Sequence, residues 1–126
     1  MRAAAIIAAA GIGRRMGGPV PKQYLEIGGR PVVCRTLDLF LKVGCVDELV
    51  SVVEPGREEG FKKEILERYG FPKSWRVVAG GAVRQESVAN GLALASKDCD
   101  VVIVHDGVRP FVSPEKIERA AATAME

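Results

Sequence analysis

The sequence predicts an α/β domain built on a mostly parallel sheet, and two observations carry that reading. Ala3 to Ala8, Leu49 to Val53 and Val101 to Val104 are short, continuous apolar runs, the pattern of strands covered on both faces. Amphipathic segments separate them. Pro31 to Leu41 sets Val32, Val33, Leu37, Phe40 and Leu41 near one helical face, Glu58 to Tyr69 does so with Phe61, Ile65 and Leu66, and Gln85 to Ala95 with Val88, Leu92 and Ala95. Trp75 to Ala79 is a shorter candidate strand. The resulting βαβαβαβα alternation implies right-handed crossovers between parallel strands.

The last helix opens with Ser113 as N-cap, Pro114 at the first helical position and Glu115 in the first turn. From Ile117 to Glu126 it has no Gly, Asn or basic last turn to close it. The expectation is a fragment, with a frayed terminal helix as the plainer alternative. At 126 residues the chain is one domain's worth, without linker, repeat or low-complexity segment.

A composition of 48% apolar and 27% charged residues excludes a disordered tail or a collagen-like fibre. No stretch approaches the roughly 18 uninterrupted apolar residues of a membrane-spanning helix. Net charge is +2, from 18 basic and 16 acidic residues, so the global basic field expected of a nucleic-acid binder is absent. The positive excess is local: residues 9–22 hold Arg14, Arg15 and Lys22 and no carboxylate. Cys34, Cys45 and Cys99 form no C-x-x-C pair and have no nearby histidine, which argues against a zinc site and a disulfide framework. Arg2 and the Ala/Ile run after it imitate a signal peptide only superficially, because the run is short and leads straight into a Gly/Arg loop. The expected compartment is the reducing cytoplasm.

Three motifs carry chemistry. Ala8 to Met16 follows the first strand and contains Gly11 and Gly13, which let the backbone turn sharply and bring N–H groups close to an anion. It is neither a dinucleotide fingerprint, which needs a third Gly where Met16 stands, nor a P-loop, which needs G-x-x-x-x-G-K-[ST]. A Gly loop with Arg14, Arg15 and Lys22 favours a polyphosphate over a plain turn with solvated arginines. The second motif, Gly80 to Gly91, is a strand-to-helix junction at the same sheet edge. There the peptide groups of Gly81 and Ala82, with the Ser87 hydroxyl, could read a base edge or merely cap the helix. The third, Val104 to Pro110, ends an apolar strand in Asp106. That carboxylate would face the crevice as a hard oxygen ligand for Mg²⁺, or else pair with Arg109. His105 reads as structural.

In this order the motifs resemble the first half of the 2-C-methyl-D-erythritol 4-phosphate cytidylyltransferase family. The resemblance rests on A-A-G-x-G-x-R-M at Ala9 to Met16, Pro21-Lys22-Gln23-Tyr24, G-G-x-x-R-x-x-S-V at Gly80 to Val88 and H-D-x-x-R-P at His105 to Pro110. It implies a Rossmann-like nucleotidyltransferase fold, with residues 1–126 as the nucleotide-binding part of one domain. It also implies Mg²⁺, a homodimer, and transfer of CMP from CTP to a polyol phosphate, methylerythritol 4-phosphate. Carried over by position, Arg15 and Lys22 match the catalytic pair at the α-phosphate. Ala9, Ala10, Gly11, Gly13 and Arg14 match the loop around the triphosphate and base, Gly81, Ala82 and Ser87 the cytosine-reading segment, and Asp106 the metal ligand. The family's second half, which supplies acceptor contacts and the arm exchanged between subunits, has no counterpart here, so these residues alone are expected to be inactive. Ribitol-5-phosphate cytidylyltransferase and a non-catalytic nucleotide-binding module are the rival readings.

Overall fold

A computed structural model describes residues 2–9, 26–95, 98–107 and 112–124, without the side chains of residues 26 and 27. Strand β1 (Ala3–Ala8) is buried along its whole length, as its uninterrupted apolar run requires. A hairpin follows at β2 (Glu26–Ile27) and β3 (Arg30–Pro31), turned by Gly28 and Gly29 at φ 61° and 80°. Positive φ at both turn positions is the geometry whose twist matches a two-residue hairpin, and Gly adopts it without strain. Helix α1 (Val32–Leu41) then leads into β4 (Val46–Val53).

Helix α2 (Glu58–Phe61) passes directly into a π-helical segment, Lys62–Glu67. The sequence reading expected one regular helix over 58–69. The difference lies in the spacing of the large residues: Phe61, Leu66 and Phe71 recur every five positions and all are buried, which suits a wider turn. Arg68 N–H donates to the Lys63 carbonyl and Phe71 N–H to that of Leu66, both five residues back. Gly70, at φ 73°, ends the segment. Strand β5 (Arg76–Ala79) begins one residue later than expected. Trp75 instead stacks on Phe71, with ring centroids 5.4 Å apart.

Helix α3 (Arg84–Leu94), strand β6 (Val101–Asp106) and helix α4 (Pro114–Ala124) complete the described chain. Ser113 caps α4 as expected, its hydroxyl accepting from Lys116 N–H at 3.3 Å.

Four strands form one parallel sheet in the order β5-β4-β1-β6. Alternate residues of a strand point to opposite faces, and the core divides accordingly. Ala5, Ile7, Leu49 and Val53 pack with Leu37 and Phe40 of α1, with Phe61, Ile65 and Leu66, and with Ile117 of α4. On the other face Ile6, Val50 and Val52 pack with Val78 and Leu94. The fold is therefore the expected α/β class with helices on both faces.

Two expected helical faces differ in detail. Leu41 of α1 is exposed, while Cys34 and Thr36 are buried. On α3 the buried residues are Ser87 and Gly91, and Leu92 is 43% exposed. A Cβ on Gly91 would stand 2.7 Å from Ile6 Cγ2 and 3.1 Å from Val52 Cγ2. The helix meets the sheet along Ser87, Gly91 and Leu94, so the expected face of Val88, Leu92 and Ala95 is the neighbouring stripe.

Candidate active site

From β1 at its centre the sheet grows first through β4 to β5, and the chain then returns to place β6 on the other flank of β1. The switch point lies between β1 and β6, and in open parallel sheets ligands bind outside the carboxyl ends of the strands at such a point. Register pairs Ala8 with Asp106 there. Gly107 N–H donates to the Ala8 carbonyl at 2.9 Å, and Ala9 N–H to Val52 at 2.8 Å. Thr36 reinforces the corner from α1, its buried hydroxyl donating to the Gly107 carbonyl at 2.8 Å. Packing is tight, since a Cβ on Gly107 would come within 3.3 Å of both the Ala8 carbonyl and Ala9 Cβ.

Ala9 is fully buried at this corner, where the chain enters the Gly loop. Ala10, Gly11, Gly13, Arg14, Arg15 and Lys22 lie outside the described residues, as does Arg109. The chain re-enters at the β2–β3 hairpin, which is firmly held. Arg30 donates from Nε and a terminal nitrogen to the two oxygens of Asp38 on α1, each at 2.9 Å. Its guanidinium also lies 4.8 Å from the Tyr69 ring centroid.

The second motif reaches the same edge after β5, where Gly80 N–H donates to the Val53 carbonyl at 2.7 Å. Gly81 N–H donates to the buried Ser87 Oγ at 3.1 Å, and Ala82 N–H to Glu86 Oε2 at 2.8 Å. Both peptide N–H groups singled out for base reading therefore already have side-chain partners on the first turn of α3, which ties the junction to the helix. Gly81 itself admits no side chain, since a Cβ would stand 2.3 Å from Glu86 Cβ. Asn90 adds a bond from Nδ2 to the Ala79 carbonyl at 3.0 Å, fixing α3 against the end of β5.

The third motif meets the second. Arg84, the first residue of α3, donates to Asp106 Oδ1 at 2.8 Å. The sequence reading weighed Arg109 as the partner of Asp106 and gave Arg84 no role, although the arginine stands inside the quoted G-G-x-x-R pattern. His105 packs edge-on to Phe40 with centroids 5.4 Å apart, consistent with a structural part. Arg84, Asp106, His105 and Lys116 are the polar members of a cavity of about 320 Å³ between β6 and α4. Lys116 is another residue that sequence reasoning passed over, because only the fold brings α4 beside the Asp106 strand end.

Whether a divalent cation fits can be judged from the donors. Among the described residues no group of three or more His, Cys, Asp or Glu could hold an ion. Asp106, 23% exposed, offers one hard carboxylate. A single accessible carboxylate does not suit a calcium or zinc cage, but it fits a cation that keeps waters and takes its other oxygens from substrate phosphates, as Mg²⁺ does.

The family model described as IspD, 2-C-methyl-D-erythritol 4-phosphate cytidylyltransferase, matches residues 3–126. A protein of that description from Geobacter metallireducens is 45% identical over 125 residues, which is 97% of this chain and 54% of the relative. Another from Alkaliphilus oremlandii is 43% identical over 96% of this chain and 51% of its own length. The crystal structure of the 4-diphosphocytidyl-2C-methyl-D-erythritol synthase of Anaerococcus prevotii superposes with a TM-score of 0.81 at 36% identity. It covers 99% of this chain and 51% of that one. The chain thus spans about half the length of these relatives.

Proposed function

The chain belongs to the 2-C-methyl-D-erythritol 4-phosphate cytidylyltransferase family, and on that premise we propose that residues 1–126 are the nucleotide-binding part of a single nucleotidyltransferase domain. Joined to a second half like that of its relatives, the domain moves CMP from CTP to methylerythritol 4-phosphate and releases pyrophosphate. It does so as a cytoplasmic homodimer in the non-mevalonate route to isoprenoids. The family match favours this acceptor over ribitol 5-phosphate. The observation that supports the reading is the convergence of Ala9, the first turn of α3 and Asp106 on one sheet edge at the switch point.

No side chain need act as base. The nucleophile is a phosphate monoester with a second pKa near ~6, largely dianionic at pH 7. The obstacle is bringing that dianion against a polyanionic nucleotide, and the remedy is fixed positive charge where negative charge develops. Arg15 and Lys22 are assigned that task at the α-phosphate. Residues Ala9 to Arg14 enclose the triphosphate, while Gly81, Ala82 and Ser87 orient the cytosine. Since the N–H groups of Gly81 and Ala82 already have partners, the base is read by the remaining carbonyls and by groups of the second half. Asp106 holds Mg²⁺, which when bound supplies Lewis-acid neutralisation of the phosphates.

The test is direct. With CTP, Mg²⁺ and methylerythritol 4-phosphate, the chain supplied with the second half its relatives carry releases pyrophosphate and forms a cytidine diphosphate adduct. Adduct formation only with ribitol 5-phosphate, or CTP binding without turnover, overturns the assignment.

A further inference from the structure

We propose that Arg84 is a positioning residue that stands in for the cation at Asp106, making metal binding there depend on the nucleotide; the inference rests on Asp106 being the metal ligand. The two ends of the pair are held differently. Asp106 is fixed by its register with Ala8 and is only 23% exposed, whereas the Arg84 side chain is 57% exposed. The Arg84 backbone is nonetheless anchored. The turn before it is tied by Gly81 N–H to Ser87 and Ala82 N–H to Glu86, and the helix after it by Asn90 to Ala79.

A fixed root with a solvent-facing guanidinium makes a contact that forms readily and releases cheaply, as exposed ion pairs do. While it is made, a lone divalent ion must displace a charged donor from Asp106 Oδ1, 2.8 Å away. A triphosphate changes that balance. It gives the released guanidinium a phosphate to pair with, which a planar five-donor group does well, and it supplies the oxygens that complete a magnesium-like shell. Metal and nucleotide therefore favour each other through Arg84, and such coupling is reciprocal.

Mn²⁺ serves as probe, its free form followed by the paramagnetic resonance signal of the aqua ion as it is titrated into the chain without nucleotide. Arg84→Gln is expected to bind Mn²⁺ about threefold more tightly than the parent, the scale of losing one exposed competing ion pair. Arg84→Lys, which keeps the charge, stays close to the parent. With CTP present the advantage of Arg84→Gln disappears. Equal or weaker binding by Arg84→Gln without CTP overturns the proposal. Asp106→Asn in parallel separates the two layers of argument: unchanged Mn²⁺ affinity removes the metal reading itself and the inference with it. Loss of affinity there with an indifferent Arg84→Gln leaves the metal reading standing and sinks only the role of Arg84. Should Arg84→Gln lose its cooperative thermal melt, Arg84→Met carries the same comparison.

Discussion

Arg15 and Lys22 sit in residues 9–22, a stretch that holds three basic residues and no carboxylate, and the proposed function sets their charge against a ligand's phosphates. If both act on charge that grows at the α-phosphate, their contribution is larger in the transition state than in the bound ground state. In the protein joined to its second half, Arg15→Ala and Lys22→Ala are each expected to lower turnover by about a hundredfold, ~3 kcal/mol, with a much smaller change in CTP affinity. Steady-state kinetics at saturating CTP check this, and a collapse of affinity with turnover intact contradicts it. Two thiols give a separate pH-dependence. Burial pushes Cys34 up to about 11, and burial together with its bond to Glu48 pushes Cys99 up to about 11. Both values lie above the ordinary thiol value of 9.0, so the folded chain holds these protons more tightly than the unfolded one. Their stabilisation is complete below about pH 9 and is lost as pH rises toward about 11. Urea midpoints are therefore expected to fall across that window, less steeply in Cys34→Ala than in the parent. Parallel profiles for the two chains would remove Cys34 from the account.

The elements that the sequence disclosed are those whose local pattern and tertiary environment agree. Strand β1 and the Leu49–Val53 run of β4 fill a covered sheet, β6 forms from its apolar run although Val102 and Val104 leave one of its faces exposed, and the Ser113-Pro114 start of α4 acts through its own hydroxyl. Where tertiary contact decides, the pattern falls short. The hairpin is two residues on each strand, leaving Gly28-Gly29 as its only local trace. The π-helical turn is set by what Phe61, Leu66 and Phe71 pack against. Helix α3 is the sharpest case, because its contact stripe is Ser87, Gly91 and Leu94 and not Val88, Leu92 and Ala95. That stripe leads to a prediction about the element. Replacing a helical Gly by Ala ordinarily favours the helix by up to about 1 kcal/mol. Here the new methyl would stand 2.7 Å from Ile6 Cγ2, a residue buried in the centre of the sheet, and overpacking of this kind costs about 1–3 kcal/mol. Overpacking wins, so Gly91→Ala should lower the urea midpoint without changing the slope. A midpoint equal to or above the parent's would mean that α3 can lift off β1 and β4 at little cost.

At the scale of the whole molecule, the candidate site was legible as three motifs on one sheet edge, but not in its strand order or in its side-chain pairings. Sequence put Ala9, Gly81, Ala82, Ser87 and Asp106 at strand ends, and the order β5-β4-β1-β6 brings those ends to one edge. The Arg84–Asp106 bridge, made between residues 22 positions apart, depends on that order and had no local signal. The same architecture bears on what the 126 residues can do alone. Strand β6 is the outer strand of the described sheet, and its Val102 and Val104 are each 41% exposed. By strand alternation they lie on the face where Ile6 packs. Exposed apolar side chains on an outer strand invite association through that edge. The chain also spans about half the length of its relatives, and the groups that would hold methylerythritol 4-phosphate are assigned to the other half. An acceptor displaced by as little as ~1 Å can cost about a hundredfold in rate, and an acceptor with no site costs far more. Residues 1–126 are accordingly expected to bind CTP weakly and, with Mg²⁺ and methylerythritol 4-phosphate, to release no pyrophosphate above the enzyme-free control. Calorimetric titration with CTP and a coupled pyrophosphate assay on the same preparation check both halves of this expectation. Robust turnover would place the acceptor site within these residues and overturn the division of labour between the two halves.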